Sequence, residues 1–166
     1  MKPGNNTRRF IDGIVEGLLV ILMILMLTQV IWQVISRYAL SRPSSITDEL
    51  SRFLLIWIGI LGASYVMGQK SHLAITLLYN YISQKMIKRA EVLVNLIIVL
   101  FSVAVLIIGG IRLVYITLKL GQTSASLQIP LGLIYIIIPV SGTLTVYYCI
   151  HDILNRVKSI PEDAKS

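Results

Sequence analysis

Three charged side chains lie close together at the start of an apolar stretch: Asp48, Glu49 and Arg52. The segment that follows, from Phe53 to Gln69, contains no charged residue. Charged groups at the mouth of a membrane helix are costly unless each one has a partner or reaches water. Such a cluster has two uses, because it can cap and pair within its own helix or bind another protein.

The sequence leaves both uses of the cluster open. Ser45 is placed to cap a helix with Asp48 in its first turn, where the helix dipole favours anions. Arg52 follows Asp48 by four residues and Glu49 by three, so a helix turns it toward both carboxylates. A cap does not require three ionisable residues, however. We therefore name Asp48, Glu49 and Arg52 as candidate residues for docking a partner on the outer face.

Small and amide side chains indicate helix packing in the membrane. Gly59, Gly62 and Ala63 follow the charged cluster, and Gly59 and Ala63 form a small-xxx-small pair that lets a second helix approach closely. Gln29 and Gln33, four apart in the preceding apolar segment, are placed to hydrogen-bond across helices. We predict a helix-packing seam at Gly59, Gly62 and Ala63.

Enzymatic and cofactor-binding patterns are absent from the sequence. It contains neither a G-x-S-x-G nor an H-E-x-x-H motif. Its two histidines, His72 and His151, are expected at a membrane edge, which is the wrong depth for ligands of a membrane haem. The single cysteine, Cys149, excludes an internal disulfide. We expect no catalytic residue, cofactor or metal in this chain.

Composition identifies the class of protein that holds these residues. Of the 166 residues, 55% are hydrophobic and 14% are charged, and the mean hydropathy is +0.79. Soluble domains carry about 25% charged residues, so an integral membrane protein is indicated. The net charge of +7 comes from basic residues in short loops beside apolar spans, where lipid headgroups explain it. Nucleic acid is excluded as a partner, because no nucleic-acid-binding pattern accompanies the charge.

Four apolar segments are long enough to cross a bilayer, for which a helix needs about 20 residues. They are continuously apolar rather than alternating, which favours helices over a barrel. We predict an all-α integral membrane protein with one domain, 1–166, and transmembrane helices at about 13–35, 50–68, 92–111 and 131–150. The middle of each span lacks ionisable residues, which argues against an ion pathway inside this chain.

The distribution of basic residues predicts an N-in/C-in orientation. With four spans, ten of the 15 lysine and arginine residues share a side with both termini: Lys2, Arg8, Arg9, Lys70, Lys85, Lys88, Arg89, Arg156, Lys158 and Lys165. The remaining five are on the other side: Arg37, Arg42, Arg52, Arg112 and Lys119. The positive-inside rule then places the termini and the middle loop in the cytoplasm.

The middle loop has an amphipathic pattern. Apolar residues recur in it at helical spacing: Leu73, Leu77, Leu78, Tyr81, Ile82 and Met86. We predict an amphipathic helix at about 72–87 on the cytoplasmic membrane surface, with His72, Lys85, Lys88 and Arg89 at the interface. The alternative is a plain extension of the second span. Residues 160–166 are expected to form a mobile tail.

A series of short motifs runs along the chain in a fixed order: Arg37-Tyr38, Asp48-Glu49-Leu50-Ser51-Arg52, Trp57, Gly62-Ala63, Gly68, His72, Gln122-Thr123-Ser124, Ile129-Pro130, Tyr135 and Pro139. In a four-span chain of this size, the series resembles the small, four-span (Q-type) membrane subunit of the tripartite ATP-independent periplasmic (TRAP) transporters. The resemblance extends over roughly Phe10 to Asn155.

The resemblance implies a non-catalytic scaffold in the bacterial inner membrane. Such a subunit packs against a large elevator-type membrane subunit that carries the substrate and sodium sites. A soluble periplasmic binding protein delivers an organic acid, such as sialic acid or a C4-dicarboxylate. Two alternatives are a self-contained four-helix exporter that acts as a dimer with Glu16 as its proton site, and a membrane redox or enzymatic subunit.

Overall fold

The computed structural model describes residues 6–39, 45–69 and 84–159, which are almost entirely helical. In chain order the elements are α1 (Asn6–Ala39), α2 (Ser45–Gly68), α3 (Gln84–Phe101), a π-helical segment (Ser102–Gly109), α4 (Gly110–Lys119), α5 (Leu131–Tyr135) and α6 (Ile137–Ser159). The third membrane span combines α3, the π-helical segment and α4, and the fourth combines α5 and α6.

Among the described residues, four helical segments are long and apolar enough to cross a membrane, which confirms the predicted all-α membrane fold. Apart from an isolated bridge between Thr123 and Pro130, the described residues form no β-structure. The helices extend beyond the predicted spans because their polar flanking turns continue the same helix. Thus α1 begins at Asn6 and α2 begins at Ser45, ahead of the apolar stretches that identified them.

The first and last helices have their terminal ends on the same side of the molecule. Arg8 near the start of α1 contacts His151 near the end of α6, with Nη1 3.3 Å from Nδ1. This is the arrangement that an even number of spans predicts. We call this side the termini end. The opposite side, with the start of α2 and the connection between the third and fourth spans, is the loop end.

The fourth span is the most buried of the four and packs against both α2 and the third span. A small core of Leu22, Leu61 and Ile137 joins it to α1 and α2. Beside this core, the indole N–H of Trp57 donates to the carbonyl of Ile134 at 3.0 Å. That carbonyl lies in α5, so Trp57 attaches α2 to the start of the fourth span.

Buried hydroxyl groups also join α2 to α6. Ser64 Oγ lies 3.1 Å from the carbonyl oxygen of Ser141 and 3.0 Å from Thr145 Oγ1. All three residues are buried. Such contacts between membrane helices contribute about 0.6 kcal/mol on average. Each hydroxyl also bonds a carbonyl of its own helix, Ser64 that of Ile60 at 3.1 Å and Thr145 that of Ser141 at 2.9 Å, so the contacts between the helices add to these bonds.

The fourth span is interrupted at Ile136, between α5 and α6. Pro139 has no N–H and cannot bond to the carbonyl of Tyr135 four residues earlier, which explains the break. The interruption lies one turn ahead of the proline, where the hydrogen bond is missing.

Candidate docking and subunit-interface surfaces

The carboxylate of Glu49, in the first turns of α2, binds the connection between the third and fourth spans. Three successive backbone N–H groups donate to it: Ala125 to Oε1 at 3.1 Å, Ser126 to Oε2 at 2.7 Å and Leu127 to Oε2 at 3.2 Å. Hydrogen bonds to a charged acceptor are roughly twice as strong as those between neutral groups. One side chain therefore attaches α2 to a loop far along the chain.

The connection itself, residues 122–131, is closed by its own backbone, and we call it the outer loop. The N–H of Ser124 donates to the carbonyl of Ile129 at 2.9 Å, and that of Leu131 donates to the carbonyl of Gln122 at 2.9 Å. Ser124 is only 2% exposed, and its hydroxyl accepts from the N–H of Leu127. The outer loop is thus an ordered turn whose tip is bound by Glu49.

The other charges of the cluster contact α1 or remain exposed. Gln33 donates to Asp48 Oδ1, and Gln29 donates to the carbonyl of Thr47, which confirms the predicted hydrogen bonding of both glutamines across helices. Arg52 is exposed, and the ion pair found among the described residues joins Arg8 and Asp12 of α1. The helical spacing predicted that Arg52 would face Glu49 within α2. In the structure the Glu49 carboxylate instead accepts from three backbone amides of the outer loop. A docking role for Asp48, Glu49 and Arg52 stays a prediction.

One face of α2 is not covered by the other residues that the structure describes, and we call it the open face. Its exposed residues recur every three or four positions: Asp48, Arg52, Leu55, Gly59, Ala63 and Val66. A Cβ built on Gly59 or Gly62 would meet no atom within 4 Å. The open face therefore has charge at the loop end and small residues in its middle, which combines the predicted docking residues with the predicted seam.

Arg8 joins three helices at the termini end. Its Nε lies 3.7 Å from Asp12 Oδ2, and its Nη2 donates to the carbonyl of Gly68, the last residue of α2. Tyr148 of α6 donates to Asp12 Oδ1 at 2.7 Å. A cation at the C-terminus of α2 also complements the helix dipole. The sequence did not reveal this cluster, whose one local signal was the Arg8–Asp12 spacing of one helical turn.

A second polar contact at the termini end joins the third and fourth spans. Asn95 Nδ2 donates to Asp152 Oδ2 at 3.1 Å, and both residues are buried, as is Glu91 one turn before Asn95. Asn95 lies within the predicted third span and Asp152 just after the predicted fourth, and no sequence pattern indicated that they face one another. They anchor the fourth span to α3 close to the membrane surface.

The predicted cytoplasmic interface lies largely outside the described residues. This holds for His72 and for positions 72–83 of the predicted surface helix, as it does for the predicted mobile tail at 160–166. Lys85, Lys88 and Arg89 belong to the first turns of α3, which continues directly into the third span. At its C-terminal end, the predicted surface helix is therefore part of a longer membrane helix.

The described residues contain no group of three or more His, Cys, Asp or Glu side chains that could hold a metal ion. Cys149 is a buried free thiol. The polar groups at the loop end are amides, hydroxyls and charges that face outward or bind one another. Their arrangement is suited to contacts with other proteins.

Comparison with known families gives one match over most of the chain. The model of the DctQ component of tripartite ATP-independent periplasmic transporters matches residues 25–159. This range contains the open face of α2, the outer loop and both of the spans that the loop connects.

Three curated proteins are similar to the chain. A TRAP transporter small permease protein of Haemophilus influenzae is 37% identical over 71 residues, which are 43% of this chain and 44% of that protein. The sialic acid TRAP transporter small permease protein SiaQ of Vibrio cholerae is 27% identical over 91% of this chain and 86% of its own length. The isethionate TRAP transporter permease protein DctMQ of Oleidesulfovibrio alaskensis is 24% identical over 68% of this chain, but only 18% of its own length.

Proposed function

Because this chain belongs to the DctQ component family of TRAP transporters, we propose that it is the non-catalytic small subunit of a sodium-coupled transporter for an organic acid. In this role it scaffolds a large membrane subunit that carries the substrate and sodium sites. The observation that carries the proposal is the open face of α2. Gly59 and Gly62 leave space there for a second helix, and no element among the described residues fills it.

A large membrane partner is also supported by the outward apolar surface and by one relative. Long stretches of α1 and of the third span expose large hydrophobic side chains, which lipid or another subunit must cover. The Oleidesulfovibrio protein matches 68% of this chain within only 18% of its own sequence. A segment similar to this chain therefore occurs there within a much longer permease, which supports direct packing of the two parts.

We propose an organic acid as the substrate class, of the sialic acid or C4-dicarboxylate type. The names of two relatives specify sialic acid and isethionate, and both compounds are organic anions. The small subunit itself has no ionisable residue in the middle of a span with which to select an anion. Selection among organic acids therefore belongs to the large subunit and to the soluble binding protein, which docks at the loop end.

Co-purification tests this function through the open face. A tagged chain is co-expressed with the large TRAP subunit of its host, and we expect it to retain that subunit. Gly59→Leu fills the seam, so we expect it to reduce the retained amount roughly tenfold, equivalent to about 1.4 kcal/mol. Gly17→Leu is the matched control, because Gly17 of α1 also has no atom within 4 Å of its Cβ position.

Two outcomes would count against the proposal. If the unmodified chain retains no large subunit, the proposed function is wrong. If the unmodified chain and Gly59→Leu retain equal amounts, the interface lies on another helix.

A further inference from the structure

We propose that the outer loop is a preorganised recognition surface for the soluble binding protein, and that Glu49 is the positioning residue that holds it. This inference rests on the proposed function, since it names the surface that the binding protein contacts. It also changes the role expected of Glu49. The carboxylate acts on the loop and is not itself a contact for the partner.

The ordering of the outer loop is the first observation to explain. Fixing a residue in one backbone conformation costs about 1–2 kcal/mol in entropy. Most of the loop side chains, including Gln122, Thr123, Ala125 and Gln128, are exposed, so little apolar burial offsets that cost. Helix connections in bundles need only about 2–8 residues and no internal structure. The order in this loop therefore exceeds what joining two helices requires.

Backbone strain at the loop tip is the second observation. Gln128 has a φ of 55°, in the left-handed region that residues with a side chain rarely adopt. Its N–H donates to the carbonyl of Ser124 at 3.2 Å, and its side chain donates to the carbonyl of Ala125 at 3.1 Å. Such conformations persist where the surroundings hold them, and they cluster at binding sites.

The three amide bonds to Glu49 supply the restraint. Glu49 is on α2, and the amides that it binds are 76–78 residues later in the chain. Because α2 is a long membrane helix, the loop tip is fixed to a rigid support. A loop that is rigid before binding loses less entropy when the partner arrives, which increases affinity.

The chemistry of this surface indicates the kind of partner. The outer loop has no charged residue and presents exposed amide and hydroxyl groups at Gln122, Thr123 and Gln128. Charged side chains of both signs lie beside it: exposed Lys119 at the end of α4, and exposed Arg52 and Asp48 on α2. A neutral hydrogen-bonding tip surrounded by charged groups suits a water-soluble protein with a polar surface. It is less suited to a membrane helix, whose outer surface is apolar.

The first test measures amide exchange in the purified chain, without any partner. In Glu49→Gln, we expect hydrogen–deuterium exchange at Ala125 and Ser126 to become at least about tenfold faster, because each bond to a charged acceptor contributes about 1.5–3 kcal/mol. The N–H of Leu127 should change less, because it also donates to the Ser124 hydroxyl. Asp48→Asn removes the same charge one residue away and should leave these amides protected. Unchanged exchange near Ser64 and Ser141 would show that the helices remain packed. Protected amides in Glu49→Gln would overturn the positioning role.

The second test measures docking to the complete membrane complex in nanodiscs, with the soluble binding protein of the same transporter as the probe. We expect Glu49→Gln to weaken binding about tenfold while the large subunit is retained, since the loop loses its fixed shape. Gln122→Glu should weaken binding similarly with normal amide protection, because it replaces an exposed neutral amide of the loop with a charged group that cannot donate a hydrogen bond.

The outcomes separate this inference from the proposed function. If Glu49→Gln speeds amide exchange in the loop but docks normally, the loop is not the recognition surface. Normal docking by Gln122→Glu would lead to the same conclusion. Loss of the large subunit from Gln122→Glu would instead assign the loop to the subunit interface, which also overturns the inference. Failure of the unmodified chain to assemble would refute the proposed function, whereas the amide exchange result would still decide the role of Glu49.

Discussion

At the scale of single residues, glycines occur both at tight helix contacts within this chain and on the uncovered face of α2. A Cβ on Gly142 of α6 would lie 2.8 Å from Leu106 Cβ and 3.3 Å from the backbone nitrogen of Ile107. Neither atom can move away without shifting the third span. On α2, the Cβ positions of Gly59 and Gly62 meet no atom within 4 Å. Gly142 is needed for packing inside this chain, and the two α2 glycines are available to a partner.

Gly142→Ala should therefore destabilise the isolated chain by about 1–3 kcal/mol, the usual cost of overpacking a well-packed contact. Gly62→Ala, the same change on the open face, should alter the stability little, because its methyl group enters empty space. Thermal unfolding of both variants in detergent, followed by circular dichroism, measures the difference. Equal unfolding temperatures for the two variants would contradict the packing that the structure shows around Gly142.

At the scale of elements, the π-helical segment brings the third span into register with the fourth. A π-turn accommodates one extra residue in a helix. As a result the buried residues Ser102 and Gly110, eight positions apart, both face α6, whereas Gly109 is exposed. Gly110 then lies against Pro139, whose Cδ would be 2.9 Å from an added Cβ. If the same sequence formed a regular α-helix without the π-turn, a different side chain would face the proline.

A deletion in this segment is expected to be tolerated better than one in the α-helix before it. Removing the exposed Val105 takes out the extra residue and restores a regular helix with both flanks still facing α6. Removing the exposed Ile97 from α3 rotates Glu91 and Asn95 by about 100° relative to the rest of the span. The yield of monodisperse protein in detergent measures the difference. A lower yield for the Val105 deletion than for the Ile97 deletion would contradict this account.

The elements were predictable from the sequence to the extent that their causes are local. The four spans follow from the length of the apolar runs, and the break before Pro139 follows from a missing N–H. The contacts of Glu49 could not be predicted, because the loop amides that it binds are 76–78 residues away and backbone amides leave no mark in a sequence. The π-helical segment has no marker either, since Ser102–Gly109 reads as an ordinary apolar helix.

At the scale of the whole molecule, the charged side chains of the described residues lie toward the two ends of the helices. The termini end is closed by Arg8, Asp12 and Tyr148, and the loop end by Glu49 and the outer loop. Between the ends, the spans expose apolar surface and the small residues of α2. Such a molecule can support and orient other subunits from both membrane surfaces. We infer that transport itself takes place in the subunit that it holds.

Reconstitution into liposomes tests this central claim most directly. The probe is the radiolabelled organic acid that the soluble binding protein binds, and uptake is driven by an inward sodium gradient. We predict no uptake above that of empty liposomes by this chain alone, and clear uptake when the large subunit and the binding protein are present with it. Uptake by the isolated chain would contradict the account, because it would mean that this chain contains a transport pathway of its own.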